Sequence, residues 1–291
     1  MTIRIVCDSG ADVSDLMHDQ LTVLPLSVAF GTTTYLDGVD LTNQRFYELL
    51  LETDVMPTTG QVTPYRFDQA FAQARNADEK VVAITISSVL SGTHQSAVTA
   101  AQPYGDSVCI IDTLSASMGT RAMVEYALRL VDEGVEFDAL CEELASKVEH
   151  LRVMALLDTL EYLHRGGRLP KAAATLGALL SIKPVITTNE GAVALVGKAR
   201  GSKAANNLLD QLVDKSGGIN FDLPLCVGYT GLDDTLLKKY VQDSALLWKE
   251  NIPQLLFHSM GGTIGTHAGP GTIALGFLPT TDVTKTDVTN N

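Results

Sequence analysis

The chain has 291 residues, 45% of them hydrophobic, which is enough for a substantial core in one large domain or two ordinary ones. Its 21 Lys and Arg against 34 Asp and Glu give a net charge of −13. This acidic balance argues against nucleic-acid binding and against anchoring on an anionic membrane, because both need a basic surface. No apolar stretch approaches the about 18 residues of a spanning helix, so we expect a cytoplasmic protein without stable membrane insertion.

In the first half of the chain, short β-branched runs alternate with helical segments. The predicted strands are IRIVCDSG, LTVLPLSVAFG, KVVAITISS and SVCIIDT, and the predicted helices include NQRFYELLLE, PYRFDQAFAQAR and SASMGTRAMVEYALRLVDEG. This alternation predicts a parallel sheet covered by helices on both faces. Ligands collect at the carboxyl ends of such strands, and three of these ends pass into Asp, Ser, Thr or Gly: CDSGAD, ISSVLSGT and IDTLSAS.

The second half of the chain has a different pattern. VITTNEGAVALVGKAR contains two β-rich runs around Asn-Glu-Gly, which predicts a hairpin. LPLCVGYTG is a further predicted strand before the helical DDTLLKKYVQDSALLWKEN, and GTIGTHAGPGTIALGFLP is predicted to form strands interrupted by glycines. These elements predict an α+β domain with a mixed or antiparallel sheet. We place the boundary so that the domains span residues 1–155 and 156–291.

The cysteines and histidines do not indicate a metal site. Cys7, Cys109, Cys141 and Cys226 are far apart and form no CxxC pair, and the six histidines lack ligand spacing. We therefore expect no metal, and free buried thiols at Cys7, Cys109 and Cys226.

Two segments place hydroxyl side chains before helices. In ITISSVLSGTHQSAVTAA, Ser91 can cap the following helix, and the same helix start can bind an anion that Gly92 allows to approach closely. In VMPTTGQVTPYRF, Thr63 is predicted to cap a helix that begins at Pro64. Thr59 becomes functional only if the fold brings it beside Ser91.

Basic residues and a histidine mark three further segments. LEYLHRGGRLPKAAATLGALLSIKPVI joins a Gly-Gly turn to a predicted apolar helix, and its basic cluster is either a solvated turn or an anion or partner contact. GKARGSKAANN is a second basic segment, and in IGTHAGPG the flanking glycines leave His267 little core to be buried in, so it is either structural or functional. The basic clusters of these two segments consist of Arg165, Arg168 and Lys171 in the first and of Lys198, Arg200 and Lys203 in the second.

Common catalytic motifs are absent from the sequence: it contains no GxGxxG, GxxxxGK[ST], GxSxG or HExxH. A serine nucleophile at Ser91 would need His94 or the distant His267 as its base. A serine-dependent acyl hydrolase or transferase using Ser91 and His267 therefore remains an alternative function. A third possible function is that of a phosphotransferase-like domain related to dihydroxyacetone kinase subunits.

Taken in order, seven segments resemble the DegV family of bacterial fatty-acid-binding proteins: TTGQVTP, ITISSVLSGTHQSA, IIDTLSASMG, LEYLHRGGR, LLSIKPVI, GKAR and IGTHAGPG. This resemblance implies a two-domain α/β fold, with an N-terminal α/β/α parallel sheet and a C-terminal α+β domain that has a mixed sheet. It also implies that one long-chain fatty acid, rather than a cofactor, is bound between the domains. Some members deliver the fatty acid to a separate kinase that makes an acyl phosphate, so the resemblance implies a non-catalytic carrier with a fatty acid kinase catalytic subunit as its partner.

The resemblance also implies roles for individual residues. Thr59, Ser91 and the backbone N–H of Gly92 would hold the carboxylate. Arg200 and His267 match positions implicated in working with the kinase or its product, and His267 is also expected at the ligand. If the chain is such a carrier, we expect Arg168, Lys198, Arg200 and Lys203 to form a docking patch.

One position departs from the family pattern. The family's Thr-Ser-Gln-Pro is Thr-Gly-Gln-Val here, with Gly60 in place of the serine. This change removes one hydroxyl from the expected head-group site.

Overall fold

The computed structural model describes residues 2–169 and 182–281. Its strands are β1 Thr2–Asp8, β2 Leu21–Leu24, β3 Ser27–Phe30, β4 Thr33–Leu36, β5 Thr58–Gly60, β6 Glu79–Thr85, β7 Val108–Asp112, β8 Arg152–Leu156, β9 Ile182–Asn189, β10 Ala192–Arg200, β11 Cys226–Tyr229, β12 Phe257–Ser259 and β13 Ile273–Phe277. Its helices are α1 Asn43–Glu52, α2 Pro64–Asn76, α3 Thr93–Ala101, α4 Met118–Asp132, α5 Phe137–Lys147, α6 Glu161–Arg165, α7 Ser202–Lys215, α8 Thr235–Asp243, α9 Ala245–Trp248 and α10 Gly262–Ala268. The sequence predicts an apolar helix with Leu176, Leu179, Leu180 and Ile182. The first three of these residues and the basic Lys171 lie outside the described residues, whereas Ile182 is the first residue of β9, so the helix prediction is wrong at that position.

The N-terminal sheet has four parallel strands in the order β2-β1-β6-β7. On one face, Val6 and Ala83 pack with Phe67 and Phe71 of α2 and with residues of α3. On the other face, the strands pack against α4 and α5. Both faces are covered because the strands carry apolar residues in near-continuous runs. The predicted α/β/α parallel sheet is confirmed.

The C-terminal sheet has six strands in the order β10-β9-β8-β13-β11-β12. Only the β11–β12 pair is parallel among its pairings, so the predicted mixed sheet is confirmed. Helices α7 and α8 pack on one of its faces. The predicted hairpin is β9–β10, and its turn residues Glu190 and Gly191 both have positive φ, as a two-residue hairpin turn requires.

The domain boundary at residues 155 and 156 stays a prediction. Strand β8, which spans it, pairs with β9 and β13 of the C-terminal sheet. The hairpin tip also contacts the segment that follows β6 of the N-terminal sheet, because the Ser87 hydroxyl donates a hydrogen bond to the carbonyl oxygen of Gly191 at 2.7 Å.

The run LTVLPLSVAFG was predicted as one strand, and this is wrong. It is split at Pro25 into β2 of the parallel sheet and β3 of a separate three-stranded antiparallel sheet, in the order β4-β3-β5. Proline fixes its own φ and has no N–H to donate to a ladder, which favours a break at this position.

Two details at helix starts also differ from expectation. Pro64 is the first residue of α2 as predicted, but the Thr63 side chain makes no capping hydrogen bond. The segment predicted as glycine-interrupted strands forms α10 before β13 begins. Its helix start is stabilised by the carboxylate of Asp37, which accepts the N–H groups of Gly262 and Thr263 from a distant segment. Local sequence carries no signal of that contact.

Helix α4 lies between the two sheets. Met118 and Ala122 belong to a core that includes Ile5 of the N-terminal sheet and Ala274 of the C-terminal sheet. The close approach depends on Gly276, where an added Cβ would overlap the backbone of Met118. No described helix is long and apolar enough to cross a membrane.

Substitution of Gly276 tests this packing. We expect Gly276→Ala to lower the free energy of unfolding by about 3 kcal/mol or more, because the new methyl group meets backbone that cannot move aside. Gly228→Ala is the matched control, since its methyl group would meet the Met118 side chain, which can change rotamer, and should cost about 1 kcal/mol. Urea denaturation measures both, and equal losses would contradict the close packing.

Candidate ligand-binding site

A cavity of about 430 Å³ lies between the two sheets. Its volume falls in the range of about 300–1,000 Å³ that is usual for small-molecule sites. The residues that line it come from both halves of the chain: Leu26, Thr59, Gly60, Gln61, Ile86, Leu90, Ser91, Gly92, Ala116, Ser117, Val153, Ala155, Leu157, Leu163, Arg168, Ile186, Thr187, Thr188, Val193, Met260, Thr263, Ile264, His267, Ala268, Thr272 and Ala274.

Much of the cavity wall is apolar and belongs to the C-terminal sheet. Val153, Ala155 and Leu157 line the cavity because alternate residues of a strand share one face. Ile186 and Ala274 flank Ala155 on the neighbouring strands β9 and β13. Such a surface suits an apolar ligand, which would be removed from water on entry.

The polar part of the cavity centres on a contact between Thr59 and His267. The Thr59 Oγ1 lies 2.9 Å from the His267 Nε2, although the two residues are 208 positions apart. Burial, with the nearby Arg168 guanidinium as a second cause, lowers the pKa of His267 to about 4. The imidazole is therefore neutral near neutral pH, and it contacts Thr59 as a hydrogen-bonding partner without a charge.

Arg168 supplies a positive charge to the same part of the cavity. Its Nη1 donates to the carbonyl oxygen of Gly166 at 2.7 Å and its Nε donates to that of Leu90 at 3.1 Å. These bonds fix the guanidinium beside the cavity, which Arg168 also lines. The site therefore combines neutral donors with one cation, whereas the hydroxyl segments alone indicated neutral donors only.

Ser91 has a structural role as well as a place in the cavity. Its Oγ accepts the N–H of Thr93, the first residue of α3, at 3.3 Å and lies 2.9 Å from the Thr93 Oγ1. At Gly92, an added Cβ would collide with the side chain of Gln61, whose Nε2 donates to Ser96 at 2.8 Å. Gln61 thus connects β5 to α3 at the cavity. Its position in TTGQVTP was the only sequence signal for this role.

Gly60, which departs from the family pattern, is explained by its neighbour in β3. Ser27 is the register partner of Gly60, and an added Cβ at Gly60 would lie 2.5 Å from the Ser27 Oγ. The Ser27 hydroxyl therefore occupies space that a side chain at position 60 would need.

Two buried carboxyl groups, those of Asp12 and Asp37, hold the start of α10, the helix that carries His267. Asp12 accepts the N–H of Gly261 at 2.7 Å, and Asp37 accepts those of Gly262 at 2.9 Å and Thr263 at 3.1 Å. Side-chain oxygen acceptors at a helix start satisfy N–H groups that have no partner within the helix. We call this the α10 anchor. Sequence reasoning missed it, although CDSGAD contains Asp12, because nothing near Asp37 indicates a contact 225 residues away.

Ser117 connects the α10 anchor to the cavity. Its φ of 52° and ψ of −129° lie in a region that non-glycine residues rarely adopt. In this conformation it lines the cavity, and its hydroxyl donates to Asp12 at 2.6 Å. The third strand end with polar residues, IDTLSAS, therefore contributes to the site through Ser117.

Comparison with known proteins identifies the family. A family model described as "Uncharacterised protein, DegV family" matches residues 2–280. The chain belongs to the DegV family. A DegV domain-containing protein of Caldanaerobacter subterraneus is 32% identical over 274 residues, which cover 92% of this chain and 95% of that protein.

Solved structures of related proteins share this fold over most of the chain. A fatty-acid-binding DegV family protein from Thermus thermophilus has a TM-score of 0.85 and 33% identity, covering 96% of this chain and 100% of that one. The fatty acid kinase (Fak) B3 protein of Streptococcus pneumoniae, solved with linoleic acid, has a TM-score of 0.82 and 25% identity. The match covers 96% of this chain and 99% of that one.

In this DegV chain, the residues selected from the sequence fall into two groups. Thr59, Ser91, Gly92, His267 and Arg168 all line the cavity. The remaining basic residues of the expected docking patch are exposed and do not line it: Lys198, Arg200 and Lys203.

Ser91 does not have a histidine partner in the described structure. The His267 Nε2 is bonded to Thr59 at 2.9 Å, and the His94 Nδ1 lies 3.1 Å from the Thr85 hydroxyl. Ser91 is bonded to Thr93 instead. This geometry does not provide the nucleophile–base pair that a serine-dependent hydrolase needs.

The cysteines are free thiols. Cys7 and Cys226 are buried, whereas Cys109, which was expected to be buried, is only partly so. Among residues 2–169 and 182–281, no group of three or more His, Cys, Asp or Glu side chains is placed to hold a metal ion.

The α10 anchor predicts a pH dependence of stability. Burial raises the pKa of Asp12 from 3.8 to about 8. The folded state then binds a proton that the unfolded state releases, so this residue's contribution to stability is lost as pH rises from about 4 to about 8, by up to about 1.4 kcal/mol per pH unit. We expect Asp12→Asn to lose less stability than the wild type over that range, measured by urea denaturation at several pH values.

The exposed Asp106 offers a matched control for this measurement. Asp106→Asn should give a curve parallel to that of the wild type. A parallel curve for Asp12→Asn would show that Asp12 does not retain its proton in the folded protein.

Proposed function

We propose that this chain is a cytoplasmic carrier that binds one long-chain fatty acid in the cavity and presents it to a partner kinase, without turnover of its own. The observation that carries the proposal is the pairing of an apolar cavity between two sheets with a polar group of Thr59, Ser91, His267 and Arg168. Contacts connect these residues, because Arg168 bonds to Leu90 next to Ser91 and packs near His267, which bonds to Thr59.

The hydrocarbon chain supplies the affinity in this proposal. About fifteen methylenes at about 0.8 kcal/mol each contribute about 12 kcal/mol before costs. Ordering the chain and losing its free motion take several kcal/mol of that. The head group therefore needs only modest stabilisation, and a few hydrogen bonds at about 1–3 kcal/mol each are sufficient.

The carboxylate is held by hydroxyl donors that neighbouring residues orient. Thr59 has one proton to donate, and it can give that proton to the carboxylate if it accepts a hydrogen bond from the His267 Nε2. The low pKa of His267 keeps the ring neutral, so it does not compete with Arg168 for the negative charge. His267 thus positions Thr59, and Arg168 attracts the carboxylate.

The relatives support both the ligand and the partner. The Thermus thermophilus relative is a fatty-acid-binding protein at 33% identity. The Streptococcus pneumoniae relative is a fatty acid kinase B3 protein loaded with linoleic acid. By this likeness, the partner of the present chain is a kinase catalytic subunit that converts the bound acid to an acyl phosphate.

The exposed basic residues are the proposed contact with that partner. Lys198 and Arg200 are both exposed and two positions apart on β10, so they share one face of the strand. Lys203, exposed at the start of α7, follows closely in sequence. In a chain of net charge −13, such a group attracts an acidic surface and positions the partner.

The head-group assignment is tested by fatty-acid retention. We expect the double variant Thr59→Val and Ser91→Ala to bind fatty acid about 10- to 100-fold more weakly, because hydrogen bonds to a charged acceptor are lost. Bound fatty acid is measured by mass spectrometry of a solvent extract after extensive washing. Thr58→Val is the control, since Thr58 is exposed and does not line the cavity. Wild-type retention in the double variant would refute the assignment.

The docking assignment is tested with the kinase. We expect Lys198→Glu with Arg200→Glu to reduce the rate of kinase-dependent acyl phosphate formation at least about tenfold, as repulsion replaces attraction. Fatty-acid content should stay unchanged, because neither residue lines the cavity. Lys215→Glu, at the far end of α7, changes charge outside the patch and should leave the rate unchanged. Loss of lipid, or an unchanged rate in the double variant, would contradict the docking role.

A further inference from the structure

Two threonine hydroxyls of the cavity wall, those of Thr188 and Thr263, lack a hydrogen-bonding partner among the described residues, and Thr263 lies beside the Asp37 carboxyl group. Thr188, near the end of β9, lines the cavity and is 5% exposed. Its Oγ1 makes no hydrogen bond among the described residues. A buried hydroxyl without a partner destabilises the protein relative to an apolar group of the same shape. Its presence therefore indicates that something else completes it.

Two neighbouring threonines of the same wall, Thr187 and Thr272, are hydrogen-bonded within the protein. The Thr187 Oγ1 donates to the carbonyl oxygen of Val153 at 2.7 Å. The Thr272 Oγ1 donates to that of Ala268 at 3.1 Å. Thr188 differs from both because its hydroxyl is buried at the cavity with no acceptor supplied by the backbone.

The surroundings of Thr188 are apolar. Val193 is its register partner in β10, and Ile186 precedes it by two residues on the same face of β9. Both belong to, or pack against, an apolar cluster that includes Leu157 and Leu163. The Thr188 hydroxyl is thus a polar group whose neighbours on β9 and β10, Ile186 and Val193, are apolar.

We propose that the Thr188 hydroxyl forms a hydrogen bond with a hydroxyl group on the acyl chain. This carrier would then prefer a long-chain fatty acid with a hydroxyl group at one position over the unsubstituted acid. A chain hydroxyl can both donate to and accept from the Thr188 hydroxyl, and an unsubstituted saturated chain can do neither. This inference rests on the proposed fatty-acid binding. It extends it by naming the class of ligand and the residue that selects it.

The position of the hydroxyl is the critical variable. A chain whose hydroxyl reaches Thr188 gains a hydrogen bond, whereas a chain with its hydroxyl elsewhere buries a polar group against an apolar wall. Isomers of one hydroxy acid therefore differ in affinity although their overall hydrophobicity is nearly the same.

The experiment measures the binding of octadecanoic acid and of a panel of hydroxyoctadecanoic acids, each with its hydroxyl at a different position. The delipidated full chain is titrated by displacement of a fluorescent fatty acid. We expect one isomer to bind about tenfold more tightly than octadecanoic acid and than the other isomers, corresponding to about 1.4 kcal/mol. Thr188→Val should reduce this preference to less than about twofold, whereas Thr188→Ser should retain it.

Thr187→Val is the matched control. It removes a neighbouring hydroxyl of the same cavity wall that is already bonded to Val153. It should keep the isomer preference of the wild type and lower the thermal midpoint of the ligand-free protein. Thr188→Val should raise that midpoint, because it removes a buried hydroxyl that has no partner.

Each outcome decides the inference. Equal binding of all isomers by the wild type would mean that a bound water, and not the ligand, is hydrogen-bonded to Thr188. This result alone would overturn the proposal, and no variant would be needed. A preference that survives Thr188→Val would assign the reading to another residue and overturn it as well. Failure of octadecanoic acid and of every isomer to bind would instead refute the proposed carrier function itself.

Discussion

The α10 anchor is the interaction on which the rest of the site depends. Asp12 and Asp37, from the first part of the chain, accept three consecutive backbone N–H groups that begin α10 near the end of the chain. The helix presents His267 one to two turns later, where it meets Thr59 of β5. One set of buried hydrogen bonds thus connects the two halves of the chain and places a residue of each in the same cavity.

Keeping carboxylates buried has a cost, and the surroundings offset it. Burial raises the pKa of Asp12 and of Asp37. Hydrogen bonds from backbone N–H groups and from Ser9 and Ser117 act in the opposite direction. Removing such acceptors would leave several buried N–H groups without partners, which is more costly than the loss of one exposed contact. The anchor is therefore a fixed part of the fold.

The cavity exists because side-chain size changes along the inner face of the C-terminal sheet. Where α4 crosses the sheet, Gly276 allows backbone to approach backbone. Beside that crossing, Ala155 and Ala274 are paired neighbours of β8 and β13 that line the cavity. Gly276 thus lets α4 pack closely on the C-terminal sheet, and the neighbouring Ala155 and Ala274 leave space for a ligand beside that contact.

The architecture could be predicted from the sequence more completely than the individual side-chain contacts could. Periodicity was sufficient for the parallel sheet, the mixed sheet and the β9–β10 hairpin, because these patterns are local. It failed at α10, whose glycine-rich segment becomes helical only through Asp37, 225 residues away. The clustering of basic residues grouped Arg168 with Lys198, Arg200 and Lys203 in a docking patch, and in the fold Arg168 is the member that lines the cavity. Motifs selected Thr59, Ser91 and His267, but only the fold shows that His267 is bonded to Thr59.

The most direct test of the account is a crystal structure of the protein purified without delipidation. We expect continuous electron density for a hydrocarbon chain between the two sheets, with its carboxylate within hydrogen-bonding distance of the Thr59 hydroxyl and the Thr59–His267 contact intact. A cavity filled by side chains, or a Thr59 and His267 pair that is separated with α10 away from Asp37, would contradict it.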